Sequence, residues 1–166
     1  MIVLRPETPD DQSAIFRIVS LAFDNESEAK LVDMIRQRNN SRLATVACSG
    51  ELIVGYVVAS PLTFEPSNSL TCLGIAPVAV TPARQGEKIG SKLMFHVINL
   101  AREQNFDALF LLGSPSYYRR FGFTPTHIDN EYGAKDAFMA LELRDGCLSE
   151  MKSLARYVGE FSEIGV

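Results

Sequence analysis

The chain predicts a single α/β domain, a mixed and mostly antiparallel sheet with flanking helices. Three observations carry that expectation. Two apolar, β-branched runs, residues 43–48 and 52–60, flank a Ser49-Gly50 turn and read as a hairpin. The extended stretches 70–81 and 106–112 enclose a segment with helical spacing, which makes a strand–helix–strand crossover. At 166 residues, 46% hydrophobic and 22% charged, the chain can bury one core, so one domain is expected over residues 1–166.

Taken in order, residues 2–4 are short and apolar, a first strand. Thr8, Pro9, Asp10 and Asp11 form a helix start: threonine caps, proline suits the first helical position, and aspartates favour the positive end of the dipole. Ile15, Val19, Ala22 and Phe23 follow at helical spacing. A second helix begins near residues 25–27, with Leu31, Met34 and Ile35 on its apolar face. After the hairpin, Pro66-Ser67-Asn68 marks a turn. Gly74 and Pro77 interrupt the next extended stretch, and a proline there implies an edge or a bulge.

Ile89, Leu93, Val97, Leu100 and Ala101 then define an amphipathic helix. Residues 106–112 read as a buried strand, 114–121 as a short helix and 137–143 as a strand closed by Asp145-Gly146. A weak helical pattern covers residues 148–157.

Several classes are disfavoured. The net charge of −4 argues against a nucleic-acid partner, which needs a basic face. No apolar run is long enough to span a membrane, and the N-terminus lacks a basic-then-apolar leader, so a cytoplasmic protein is expected. Cys48, Cys72 and Cys147 are dispersed, which suits no disulfide framework. With only His96 and His127, neither a metal site nor a Ser-His-Asp triad is expected.

The chemistry concentrates between residues 75 and 123. The strand Ile75-Ala76-Pro77-Val78-Ala79-Val80 is either a kinked edge strand or a distorted one whose free backbone groups bind an extended amide ligand. Arg84-Gln85-Gly86-Glu87-Lys88-Ile89-Gly90-Ser91-Lys92 joins it to the amphipathic helix. This segment is either a solvated turn or an anion cradle at a helix N-terminus. It matches neither a Walker loop nor a dinucleotide fingerprint. Tyr117 and Tyr118 either pack or supply a phenol that protonates a leaving thiolate.

In combination these segments resemble the GCN5-related N-acetyltransferase (GNAT) family, whose coenzyme A loop reads Gln/Arg-x-x-Gly-x-Gly/Ala. Gln85, Ile89 and Gly90 fit, while Lys88 stands where the family has glycine. Tyr118 followed by Gly122-Phe123 matches its Tyr-x-x-x-Gly-Phe ending, and the longer string from Leu112 looks like a bacterial subgroup of N-acetyltransferases. The opening 4–11 and the late 138–143 are similar too, so the resemblance spans nearly the whole chain.

The resemblance implies a GNAT-like acyl-CoA N-acyltransferase fold with splayed central parallel strands. It implies acetyl-CoA as co-substrate, no metal, and an amine acceptor that is a small molecule, peptide or protein. Cofactor contacts would come from Val78, Ala79, Val80, Gln85, Gly86, Glu87, Lys88, Ile89, Gly90 and Ser91. Tyr118 would be the acid in a direct transfer. Glu26, Glu28, His127 and a water chain ending in bulk are open as bases, and Arg84, Arg119 and Arg120 as phosphate contacts. Residues 23–28 and 129–132 would wall the acceptor site. A homodimer is common in the family. The competing reading is a non-catalytic acyl-CoA-binding or sensing domain on the same fold.

Overall fold

The computed structural model describes all 166 residues. Strand β1 (Ile2–Pro6) leads through a 3-10 turn (Pro9–Asp11) into α1 (Gln12–Phe23), and α2 (Ser27–Gln37) follows. The junction is tied by Asp11, which accepts the Thr8 N–H at 2.7 Å and the Arg5 guanidinium at 2.7 and 2.9 Å.

The predicted hairpin forms from β2 (Leu43–Ser49) and β3 (Leu52–Glu65), and β3 runs further than its apolar pattern suggests. β4 (Cys72–Val80), α3 (Ile89–Glu103) and β5 (Ala108–Leu112) make the crossover. The second half adds α4 (Pro115–Tyr118), β6 (Thr124–Pro125), β7 (Asp129–Asn130), β8 (Phe138–Glu142), β9 (Leu154–Arg156) and α5 (Glu160–Ile164). No helix is long and apolar enough to cross a membrane.

The sheet order is β1-β2-β3-β4-β5-β8-β6, with β9 joined to β3 and β7. All pairings are antiparallel except β4 with β5 and β7 with β9. β3 alternates its side chains between two faces, with the phase reset at Val54, the extra residue left where Cys48 pairs with Ile53 and Ala47 with Gly55. Ile53, Tyr56 and Val58 pack with Ile15, Ile18 and Val32 of α1 and α2. Val54, Val57 and Ala59 pack with Leu93, Val97 and Ala101 of α3. Gly55 brings α3 close to the sheet: a Cβ there would lie 3.0 Å from both Ile89 and Leu93.

The tail departs from its expected helix. Residues 148–157 form turns and then β9, which pairs Arg156, Ala155 and Leu154 with Thr63, Phe64 and Glu65. Buried Ala155 and Tyr157 alternate with half-buried Leu154 and Arg156, a period of two rather than of a helix. The extra length of β3 supplies the edge on which this strand forms.

Candidate functional site

β4 and β5 pair only where Cys72, Leu73 and Gly74 meet Ala108, Leu109 and Phe110. Beyond Gly74 the strands part. β4 stays with β3 as far as Val80 opposite Gly55, and β5 stays with β8 as far as Leu112 opposite Phe138. The facing edges of residues 75–80 and 111–112 are therefore left without a strand partner. At the point of divergence the Tyr157 ring occupies the space over Gly74, where a Cβ would come within 2.5 Å of its Cε1. The register against β3 slips between Val57 and Ala59, so Ala76 and Pro77 stand opposite Val58 alone. This is a bulge in which a proline's missing N–H is tolerated.

The parted strand feeds the loop that opens α3. Gln85 donates from Nε2 to the Val80 carbonyl at 3.1 Å, pinning the loop to the strand end. Gly86 and Lys88 have φ of +85° and +65°, and the left-handed Lys88 is the residue at which α3 begins. The first bond of the helix runs from Lys92 N–H to the Lys88 carbonyl at 3.1 Å. The N–H groups of residues 86–91 have no backbone acceptor, and those at the helix start point along its axis with the positive end of its dipole. They border a cavity of about 460 Å³.

Val78, Val80, Gln85, Gly86, Lys88, Ile89, Gly90 and Ser91 line that cavity, with Tyr117, Tyr118 and Arg120 opposite. Ala79 is 2% exposed and packs toward α1, away from it. Glu87 does not line it; its carboxylate holds Arg84 Nε at 2.9 Å. Arg84 and Arg120 border the cavity and Arg119 does not. With Lys88 they make a local cationic wall on a chain of net charge −4, a setting in which an anion gains both charge and amide contacts.

The tyrosines sit on α4. Arg120 stacks over Tyr117, its guanidinium carbon 4.3 Å from the ring centre. Tyr117 and Tyr118 meet edge to face at 4.9 Å. Burial raises the pKa of the Tyr118 phenol, and the neighbouring Tyr117 adds to it, so Tyr118 keeps its proton at neutral pH.

Val78 and Tyr118 also line a second cavity of about 320 Å³, so the two spaces meet at these residues. Eleven of its 13 lining residues are hydrophobic, among them Phe23, Leu31, Leu112, Tyr132 and Tyr157. Glu28 is its one charged side chain. The Glu28 Oε2 and Tyr157 Oη are buried without a hydrogen-bond partner.

The three open bases thus separate. Glu26 is exposed and 3.7 Å from Lys30, and His127 Nε2 lies 3.0 Å from the Met151 carbonyl beside a different cleft. Only Glu28 reaches the second cavity. Phe23 and Tyr132, from the two segments expected to wall an acceptor site, are both there. The helical pattern expected over residues 148–157 conceals Tyr157, for which the alternation through Leu154, Ala155, Arg156 and Tyr157 is the available signal, and Phe161 lies beyond that pattern, in α5. No group of three or more His, Cys, Asp or Glu residues is placed to hold a metal ion.

A family model described as an acetyltransferase (GNAT) domain matches residues 3–126. The chain is 30% identical over 166 residues to YhbS of Escherichia coli K12, an uncharacterized N-acetyltransferase, covering 97% of this chain and 99% of that one. The crystal structure of E. coli YhbS in complex with CoA superposes with a TM-score of 0.92 at 28% identity, covering 97% and 92% of the two chains. A GNAT family acetyltransferase of Brucella melitensis in complex with acetyl-CoA gives 0.83 at 29% identity, covering 97% and 98%.

Proposed function

Because the chain belongs to the GNAT acetyltransferase family, we propose that it transfers an acetyl group from acetyl-CoA to a primary amine by direct attack. The observation that carries this reading is the parting of β4 from β5 beside the unpaired amides of residues 86–91. The pyrophosphate binds those amides, with Arg84, Lys88 and Arg120 around it. The pantetheine arm lies along the open edge of β4, and the thioester reaches Val78 and Tyr118, where the two cavities meet. The complexes of the Escherichia coli and Brucella melitensis relatives with CoA and acetyl-CoA support coenzyme A as the cofactor.

The neutral amine enters from the apolar cavity and attacks the thioester carbonyl. A C–N bond forms, the C–S bond breaks, and the amine gives up a proton to bulk solvent through water in the open cleft. A backbone N–H near Val78 stabilises the developing oxyanion. Tyr118 gives its phenolic proton to the departing sulfur and recovers one from solvent. A thiol ordinarily titrates below a phenol, near 8.5 against about 10. The transfer is nevertheless reasonable in a desolvated site, since losing water raises the basicity of the thiolate as well.

Thermal stabilisation tests the cofactor assignment. A ligand that binds the native state raises Tm, by about 2.7 kcal/mol of stability at 100 times Kd. CoA and acetyl-CoA are expected to raise Tm while ATP at equal concentration does not. No shift with either coenzyme A form at saturating concentration would remove the proposal. Turnover is read as free thiol released on adding an amine, which separates an enzyme from a sensing domain that binds acetyl-CoA and stops there.

A further inference from the structure

The acceptor cavity has a chemistry of its own. Its wall is apolar except for one carboxylate and a few hydroxyls. Phe23, Leu112, Tyr132 and Val166 are all large hydrophobics exposed at 37–42%, and all four border this cavity. Clustered apolar exposure on a monomer marks a binding surface more often than chance placement. At about 320 Å³ the cavity is at the small end of small-molecule sites, which run from about 300 to 1,000 Å³.

Two polar atoms inside are unsatisfied. Tyr157 is 94% buried by its 6% exposure, and its hydroxyl has no partner. Glu28 Oε2 is buried and equally unpartnered. Unpaired polar groups are costly to bury. Both residues line the cavity, and each of these atoms can be satisfied by a ligand nitrogen that carries hydrogens.

We infer that the acceptor is a monoamine with a compact aromatic or aliphatic body: the amine hydrogen-bonds to Glu28 and Tyr157, and the body fills the wall of Phe23, Leu31, Leu112 and Tyr132. This rests on the acetyltransferase reading and adds the substrate class to it. Glu28, the one charged side chain on the lining, pairs with one amino group. A polyamine or an aminoglycoside would place further ammonium groups against hydrocarbon with no counter-charge, at a desolvation cost the cavity does not offset. A lysine side chain brings a cation on a flexible stem but leaves the aromatic rim unfilled.

The test uses the full chain loaded with CoA and three probes: 2-phenylethylamine, spermidine and a lysine-containing peptide. Calorimetry reads binding, and thiol release with acetyl-CoA reads turnover. The expected result is kcat/KM for 2-phenylethylamine at least tenfold above the other two. Glu28→Gln is expected to weaken its binding at least tenfold, and Tyr157→Phe several-fold, with the CoA Kd unchanged in both. Preferential use of spermidine or peptide overturns the inference, as does failure of 2-phenylethylamine to bind the CoA-loaded protein at millimolar concentration. In either case CoA binding and turnover of another amine leave the acetyltransferase reading standing; absence of CoA binding is what removes that reading instead. Should Glu28→Gln unfold, loss of secondary structure by circular dichroism identifies it, and Tyr157→Phe, which removes one oxygen from a packed ring, decides the matter alone.

Discussion

The ring of Tyr118 rests against the backbone of Gly113 with no room for a side chain between them: a Cβ on Gly113 would stand 2.4 Å from Tyr118 Cε2 and 2.7 Å from Cδ2. The residue that follows β5 thereby sets the position of the phenol five residues later. Gly113→Ala must move the ring, because the ring cannot compress and is itself partly buried among Phe121 and Phe123. The expected outcome is a kcat reduced by about tenfold or more, since displacement of a reacting group by about 1 Å costs about 100-fold. CoA affinity, which the proposed function assigns to residues 86–91, should change little. Steady-state kinetics beside calorimetry separates the two.

Tyr118→Phe removes the proton without moving the ring. General acid catalysis contributes about 100- to 10,000-fold, so kcat should fall within that range while Kd for CoA and Tm stay near the parent values. Turnover unchanged in Tyr118→Phe would take the acid role from this residue. The raised phenol pKa also predicts no loss of activity from Tyr118 ionisation below about pH 10, the ordinary tyrosine value, because the proton is held to higher pH than in water.

Lys88 is the one non-glycine left-handed residue in the loop, with φ of +65°. A side chain there costs about 1–2 kcal/mol relative to glycine, and Lys88→Gly should recover up to about 1 kcal/mol after the greater freedom of glycine in the unfolded chain, about 0.5–1 kcal/mol, is subtracted. The same change removes a cation from the cavity of residues 84–91. CoA affinity should fall a few-fold, and more so at low salt, where the missing charge is less screened. A rise in Tm together with a weaker, salt-sensitive Kd is the expected pair of observations.

Much of this was legible in the residues. The loop and α3 depend on local spacing and capping, so Ile89, Leu93 and Val97 disclosed the helix and Gly86 and Gly90 its cavity-facing start. The parting of β4 from β5 was legible only through family resemblance. Which strand lies beside which is a long-range fact, and Gly74 and Pro77 signal irregularity without saying what stands opposite. Ala79 shows the same limit from the other side. It sits between two cavity-lining valines, and only the pleat reveals that its side chain faces α1. The apolar cavity was legible in its walls, Phe23, Glu28 and Tyr132, and illegible at Tyr157, whose place depends on β9 pairing with a strand some 90 residues earlier, Thr63 against Arg156.

Asp11 predicts a pH dependence of stability. The Arg5 guanidinium holds its carboxyl well below the usual carboxylate range, and the Thr8 N–H and hydroxyl add to the effect. Since the folded pKa is depressed, the contribution is fully present above the unfolded value of about 3.9 and is lost as pH falls through the folded one. Asp11→Asn should cost about 1.5–3 kcal/mol at pH 7, the range for hydrogen bonds to a charged group. The gap between wild type and Asp11→Asn should narrow steadily below about pH 4. Denaturant titrations at pH 7, 4 and 3 follow it.

The buried hydroxyl of Tyr157 sets stability against function. It lies without a partner in a side chain that is 6% exposed, while its ring packs on Phe161 at 5.1 Å and on Phe138 at 6.5 Å. Tyr157→Phe keeps those ring contacts and the close approach over Gly74, and removes only the unpaired oxygen. Deleting a buried polar group that has no partner recovers its desolvation cost, about 1 kcal/mol or more. In a domain of this size that is a rise in Tm of about 2–4 °C for the ligand-free protein. The same substitution should weaken the amine, because the hydroxyl then has nothing to offer the bound nitrogen. A hydroxyl kept only for packing would make the first change without the second, so melting curves without ligand and amine binding to the CoA-loaded protein must be read together.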